Sequence, residues 1–555
     1  MTDLAVSTDP RTRYFILPTR LLWQSDAQSV HNADCLRRND TGQATLYAPE
    51  VCLIRSGKGI APPALLLDFG REWNGGIQIV LGAANRGLVN VRIRFGESAS
   101  EAMGAPINDH ANHDLVFPLR PWGAQEVGNT GFRFVRLDFS SSEDGDLEAQ
   151  LIAVRAVALI RPLPYIGQFH CNDDRLNEIW KVGAHTVHLC LQDYVWDGVK
   201  RDRLAWIGDL HPEAQVVSTV FGQQAIVPQT LDYVRDQTPL PAWMNGISSY
   251  SLWWVLLQRD WFLHWGDHDY LRAQSAYLLP LLEQLAARVD AHGSEVLDGW
   301  RFLDWPTEGN DVAKHAGLHA LLLRGLQAGA ELCQALDEDA AGAACLRAAE
   351  RMRRHVPPIV PQSKQASALL ALAGLQSAEI VNREALAVDP LSGLSTFYGY
   401  YVLQARALAG DYSGALEVIR RYWGGMLDLG ATSFWEHFDL SWRENAGRID
   451  ELPPAGKVDL HATYGEHCYQ GLRHSLCHGW AAGPTAWLSE HVLGVQILAP
   501  GCRRLRIRPN LGDLTEVEGT FPTSCGPLRL RHQRTNTGEI ATEIDAPATI
   551  KILRD

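Results

Sequence analysis

Apolar and polar positions alternate along roughly the first 165 residues. Segments 76–82 (GIQIVLG), 89–95 (VNVRIRF), 132–139 (FRFVRLDF) and 149–160 are rich in β-branched residues, and Gly, Asn, Asp and Ser clusters separate them. Side chains two apart share a face of a strand, so this pattern predicts a β-sandwich over 1–165. From about 168 the period lengthens to that of helices. Segments 174–191 (DRLNEIWKVGAHTVHLCL), 250–264, 273–291, 317–336, 345–355, 367–374, 395–410 and 413–427 carry apolar stripes, broken by pairs such as Gly266-Asp267 and Gly410-Asp411. A dozen or so helices joined by short loops over 166–492 predict a helical toroid, an (α/α)6 barrel, with no fixed repeat period to indicate a solenoid. Short strands return at 505–508, 515–519, 528–532, 539–544 and 549–553, predicting a C-terminal β-sandwich over 493–555.

Composition narrows the function classes. Apolar residues make up 46% and charged residues 21% of the 555, which allows a packed core. A formal charge of -14 argues against nucleic acid as a partner, because phosphate binding needs clustered Lys and Arg. The ten Cys are scattered and form no CxxC pair, so neither a disulfide framework nor a cysteine metal site is expected. No run of 18 apolar residues predicts a membrane span, and the stretch MTDLAVSTDPRTRYF lacks the basic and apolar regions of a leader. Cytoplasmic location is the resulting expectation. Eighteen Trp gather around 196–265 and 423–487, and indole faces suit both cores and sugar rings.

The densest chemistry is 193–213, DYVWDGVKRDRLAWIGDLHPE. Asp193, Asp197, Asp202, Asp209 and Glu213 lie there among Lys200, Arg201 and Arg203, flanked by Trp196 and Trp206. Asp197-Gly198 and Gly208-Asp209 mark turns, which places the acids on a loop between helices. Glycosidic cleavage needs one carboxyl group to protonate the leaving oxygen and a second to activate water or attack the sugar. Anions and cations crowded together can set two such groups apart. A surface salt-bridge network is the competing reading.

The run D-G-V-K-R-D-R-L-A-W-I-G-D (197–209) resembles the signature of glycoside hydrolase family 78, the α-L-rhamnosidases. G-A-T-S-F-W-E-H-F (430–438), S-L-C-H-G-W-A-A-G-P-T-A-W-L (475–488), P-N-L-G-D-L (509–514) and V-E-G (517–519) resemble later blocks of the same family. The resemblance implies an inverting exo-hydrolase releasing terminal α-L-rhamnose, with Asp202 as general acid and Glu436 as general base. It further implies Asp197, Arg201, Trp206, Asp209 and His478 as sugar-binding residues, and Trp305 of FLDWP (302–306) as pocket lining. Many relatives carry Glu at the acid position and one more residue before the Trp. Here Arg-Asp-Arg is shorter, and Asp reaches less far than Glu, so Glu213 and Asp197 stand as reserve proton donors.

Other constellations are weaker. His474 and His478, and likewise His315 and His319, are spaced i,i+4 as metal ligands on a helix would be, but neither pair encloses the Glu of HExxH. No GxSxG, Walker or GxGxxG spacing occurs, so no metal and no cofactor is expected. Trp253 and Trp254 are candidate platforms, though a core role suits them equally. Small rhamnosides are the expected partners, and the assembly is left open between monomer and homodimer. The remaining alternatives are a barrel hydrolase or lyase acting on another sugar, and an inactive sugar-binding relative.

Overall fold

The computed structural model describes residues 8–47, 50–104, 113–142 and 145–554. Nine strands form one antiparallel network: β1 (Thr12–Ile16), β2 (Arg20–Gln24), β3 (Val30–His31), β4 (Cys52–Ser56), β5 (Ala64–Ala84), β6 (Val89–Gly96), β7 (Asp114–Leu119), β8 (Gly123–Ser141) and β9 (Leu147–Ile160). The order is β3-β4-β9-β5-β8-β6-β7, with β1 on β9 and β2 on β5. The long strands β5 and β8 shift register between Gly75 and Ile77. Gly75 has φ +144°, and a Cβ there would lie 2.0 Å from the Val157 carbonyl oxygen, so the irregularity requires glycine. The buried face of this sheet packs on Leu189, Cys190, Val199 and Cys477. Its core therefore runs into the segments that carry the predicted site.

Between the β-regions the chain is helical. After the short α1 (Ala99–Met103) come α2 (Asp174–Cys190), α3 (Ile207–Val216), α4 (Ile226–Asp236), α5 (Ser248–Trp265), α6 (His268–Ala286), α7 (Asp311–Ala335), α8 (Asp339–Met352), α9 (Lys364–Leu372), α10 (Ala378–Val381), α11 (Gly399–Leu408), α12 (Tyr412–Val418), α13 (Gly424–Asp428), α14 (Leu460–Thr463) and α15 (Gly483–Trp487). Polar caps start several of them: the Asp173, Asp267, Asn310, Ser363 and Asp411 side chains each accept a first-turn N–H. Two kinds of helix alternate. α4 and α6 are striped, whereas α5 is buried almost all round, including Trp253, Trp254 and Trp261. A helix apolar on every side belongs inside. Accordingly α3, α5, α7, α9, α11 and α15 pack each on the next, and α15 returns to α3.

The C-terminal β-structure comprises β11 (Val495–Ala499), β12 (Arg504–Ile507), β13 (Glu516–Phe521), β14 (Leu528–Arg534), β15 (Ile540–Asp545) and β16 (Lys551–Arg554). The strand β10 (Gln168–Cys171), just after the N-terminal sheet, pairs antiparallel with β13 in a four-stranded sheet. The C-terminal sheets thus include a strand from the start of the expected helical region. They are fixed to the C-terminal end of α5, where the His264 ring stacks on Phe521 at 5.3 Å and its Nε2 meets the Pro522 carbonyl at 2.9 Å. No helix of the described residues is long and apolar enough to cross a membrane.

Candidate active site

The loop between α2 and α3 is tied at both ends by Asp197. Its N–H donates to the Leu204 carbonyl (3.0 Å), its Oδ1 accepts from the Leu204 N–H (2.9 Å), and its carbonyl accepts from the Gly479 N–H (2.7 Å). Inside this short loop the chain turns through Asp202 and Arg203, both left-handed at φ +57° and +58°. The Arg203 N–H closes the turn on the Arg201 carbonyl at 2.8 Å. Left-handed backbone costs an L-residue roughly 1–2 kcal/mol, with Asp among the side chains that tolerate it best. The N-terminal sheet holds the loop in place. Arg203 donates to the Asn129 carbonyl (2.7 Å) and lies over the Trp196 ring, and the Gly131 N–H meets the Val199 carbonyl.

Buried Arg201 links the two predicted catalytic carboxylates. Its Nη1 donates to Asp202 Oδ1 at 3.0 Å, and its Nη2 donates to Glu436 Oε1. Glu436 is fixed on every side: its N–H donates to the Ser475 carbonyl (3.0 Å), and its carbonyl accepts from Trp480 Nε1 (2.9 Å) and Thr396 Oγ1 (2.6 Å). Burial alone would raise its pKa, but Arg201 and His478 outweigh burial and hold it below the usual carboxylate value. His478 bonds Asp209 Oδ1 through Nε2 at 3.2 Å, and its Nδ1 lies 3.8 Å from Glu436 Oε1. Burial lowers the His478 pKa, yet Glu436 and Asp209 more than reverse it, so the ring is held above its ordinary value. Tyr250 donates to the other oxygen of Asp209 at 3.1 Å. Burial drives the carboxyls of Asp197 and Asp209 upward.

These groups line one cleft where α3, α5 and α7 begin and just ahead of α15. Asp197, Arg201, Asp202, Trp206, Asp209, Trp305, Glu436 and His478, all singled out from sequence, border it. Asp202 is the most open of the carboxylates, its side chain 28% exposed against 4% for Glu436. Glu213 does not reach the cleft. It is buried behind Gly479, where a Cβ would fall 1.6 Å from Glu213 Oε1. Trp253 and Trp254 are fully buried in the helical core, Trp253 stacked on Tyr401 at 4.8 Å. Sequence reading missed Tyr250, Trp300 and Tyr469, which also line the cleft. A lone aromatic in an apolar stretch carries no signal that separates core from cleft.

The histidine pairs resolve differently. His474 accepts the His437 N–H at 3.0 Å, and His315 contacts Glu295 at 2.9 Å and His355 at 3.4 Å. The three metal-ligating side chains that converge among the described residues are Glu97, Glu101 and His461. The Lys200 ammonium stands beside them, 2.8 Å from Glu101 and 3.6 Å from Glu97, and donates to the Leu472 and His474 carbonyls. That trio therefore already has a cation.

The buried helices α3, α5, α7, α9, α11 and α15 form a closed ring, and a carboxylate-lined cleft opens at one end of it. Residues 164–355 match the family model of the bacterial alpha-L-rhamnosidase 6 hairpin glycosidase domain. The GH78 family rhamnosidase of Bacillus sp. GL1 superposes with TM-score 0.73 at 22% identity, covering 92% of this chain and 55% of that one. The Klebsiella oxytoca rhamnosidase with rhamnose bound gives 0.68 at 19% identity, over 86% of this chain and 96% of that one. The Streptomyces avermitilis α-L-rhamnosidase complexed with L-rhamnose gives 0.69 at 18%, over 88% and 48%. The chain thus spans about half the length of the Bacillus and Streptomyces proteins. No curated protein sequence matches it. The chain resembles glycoside hydrolase family 78, by fold over most of its length and by sequence across 164–355.

Proposed function

We propose that the protein is an inverting exo-α-L-rhamnosidase whose helices form an (α/α)6 barrel between two β-sandwich domains. The observation that carries this reading is Arg201, which bridges Asp202 and Glu436 at the floor of an aromatic-lined cleft. Acceptors on the two terminal nitrogens of one guanidinium lie within about 8 Å of each other, a range that spans both retaining and inverting spacings, so inversion rests on the resemblance to family 78. Asp202 is the general acid and protonates the glycosidic oxygen as the C–O bond breaks. Glu436, held ionised by Arg201 and His478, takes a proton from the water that attacks the anomeric carbon on the opposite face. The products are β-L-rhamnose and the free alcohol. Asp197, Arg201, Asp209 and His478 bind sugar hydroxyls, and Trp206 and Trp305 pack against the ring. Small rhamnosides entering the cytoplasm are the substrates of this reading, and no metal or cofactor takes part.

A panel of p-nitrophenyl glycosides tests it. The α-L-rhamnoside is cleaved, and Glu436→Gln and Asp202→Asn each lose at least about 100-fold in kcat while circular dichroism stays unchanged. Preferential cleavage of another sugar would indicate a barrel hydrolase of different specificity. Rhamnose binding without turnover would indicate an inactive relative.

A further inference from the structure

The ring of inner helices has a second mouth. Where the C-terminal parts of α3, α5 and α11 face β11 of the C-terminal sheets, a cavity of about 590 Å³ opens. The stacked pair Trp253 and Tyr401, with His211 beside them, stands at this end of the core. None of the cleft carboxylates lines this cavity.

Its charges are unevenly matched. Asp260 is fully engaged: His211 Nε2 lies 3.1 Å away, Gln215 Nε2 donates at 3.0 Å, and Arg259 donates at 2.9 Å. Glu490 accepts from Gln404 (2.7 Å) and Tyr400 (3.3 Å). Arg324, midway along α7, lines the same cavity with no hydrogen bond or ion pair to any described residue, and its Nη1 is out of solvent contact. Arg508, at the exposed rim, is also without a side-chain partner among the described residues. Arg324 is only partly buried, yet a partly desolvated guanidinium without a counter-charge favours an anion beside it. The two acids facing Arg324 do not supply that charge. Asp260 is committed to Arg259 and His211, and burial pushes Glu490 up to about 7, which weakens it as a counter-ion at neutral pH.

We propose that this cavity binds a compact oxyanion, a carboxylate or phosphoryl group, seated on Arg324 with Arg508 guarding the entrance. A planar guanidinium presents paired N–H groups to such an oxyanion.

Isothermal titration of the full chain at pH 7 and fixed ionic strength tests the site, with sodium phosphate, sodium D-glucuronate and L-rhamnose as probes. Saturable binding of phosphate or glucuronate is expected, tighter than about 10 mM. Whichever of the two binds more tightly tells a phosphoryl from a carboxylate ligand. Arg324→Gln should weaken it at least about tenfold. Should that variant misfold by circular dichroism, Arg508→Glu at the exposed rim reverses the entrance charge and should weaken binding several-fold. Absence of saturation with both anions overturns the proposal, as does equal affinity in wild type and the folded variants. Competition of the anion by L-rhamnose would also overturn it, because the ligand would then be seated in the cleft.

Discussion

At the level of single residues, the cleft works by surrounding one carboxylate with cations. Glu436 is depressed despite its burial, because Arg201 and His478 outweigh desolvation. A base whose folded pKa lies below 4.5 stays ionised as pH falls through the ordinary carboxylate range. The acidic limb of kcat/KM should therefore lie below pH about 4.5 in wild type. Removing one of the two cations lets burial act, so His478→Asn should move that limb upward, read from a pH–rate profile. An unmoved limb would show that His478 does not set the state of Glu436. Asp304 shows the opposite sign. Burial pushes it up to about 7, even though Ser395 and the Trp305 N–H bond it. A raised carboxyl contributes stability below its unfolded pKa near 4 and loses it as pH rises toward 7. Thermal midpoints of Asp304→Asn should therefore fall less than those of wild type between pH 4 and pH 7.

At the level of elements, the helices were legible because their chemistry is local. Stripes and Gly-Asp breaks place the starts of α2 and α12 within a residue, whereas α6 and α7 begin at His268 and Asp311, several residues ahead of the expected 273 and 317, because polar caps at Asp267 and Asn310 extend them beyond their apolar stripes. The acidic run was legible as a loop only up to Trp206; Gly208, Asp209 and Glu213, expected at or beyond a turn, lie in α3, with Asp209 in its first turn. The turn through Asp202 and Arg203 was not legible, since no residue type there demands left-handed backbone, and only the missing residue before Trp206 hinted at it. Nor did sequence separate Glu213 from the cleft acids. Its exclusion depends on the close approach of Gly479, a contact between segments more than 260 residues apart. That approach yields a further prediction. A methyl group at 479 would fall on the Glu213 carboxyl, so Gly479→Ala should destabilise by about 1–3 kcal/mol and displace His478 beside it. KM for the rhamnoside should rise more than kcat falls. A variant with native stability and KM would contradict the role given to this contact.

Across the whole molecule, the N-terminal sheet braces the segments that carry the cleft, a role that its alternating pattern gave no sign of. Glu97 and Glu101 lie at the end of β6 and on α1. They hold Lys200, the neighbour of Arg201, while Glu97 also accepts the Leu476 N–H beside Ser475, and the Ser475 N–H reaches Glu436 Oε2 at 3.3 Å. The N-terminal sheet and the segments carrying Arg201 and Glu436 are therefore joined through one buried cation. Lys200→Met would leave buried Glu72, Glu97 and Glu101 without it. A cost of about 3–5 kcal/mol is expected, visible as a lowered thermal midpoint that recovers toward acid pH, where the acids are neutral.

Inversion by Asp202 and Glu436 is tested most directly by proton NMR of the first sugar released from p-nitrophenyl α-L-rhamnoside. The β-anomer of L-rhamnose should appear first, with the α-anomer growing in only by mutarotation. Initial appearance of the α-anomer would contradict inversion, requiring a covalent intermediate and a closer carboxylate pair.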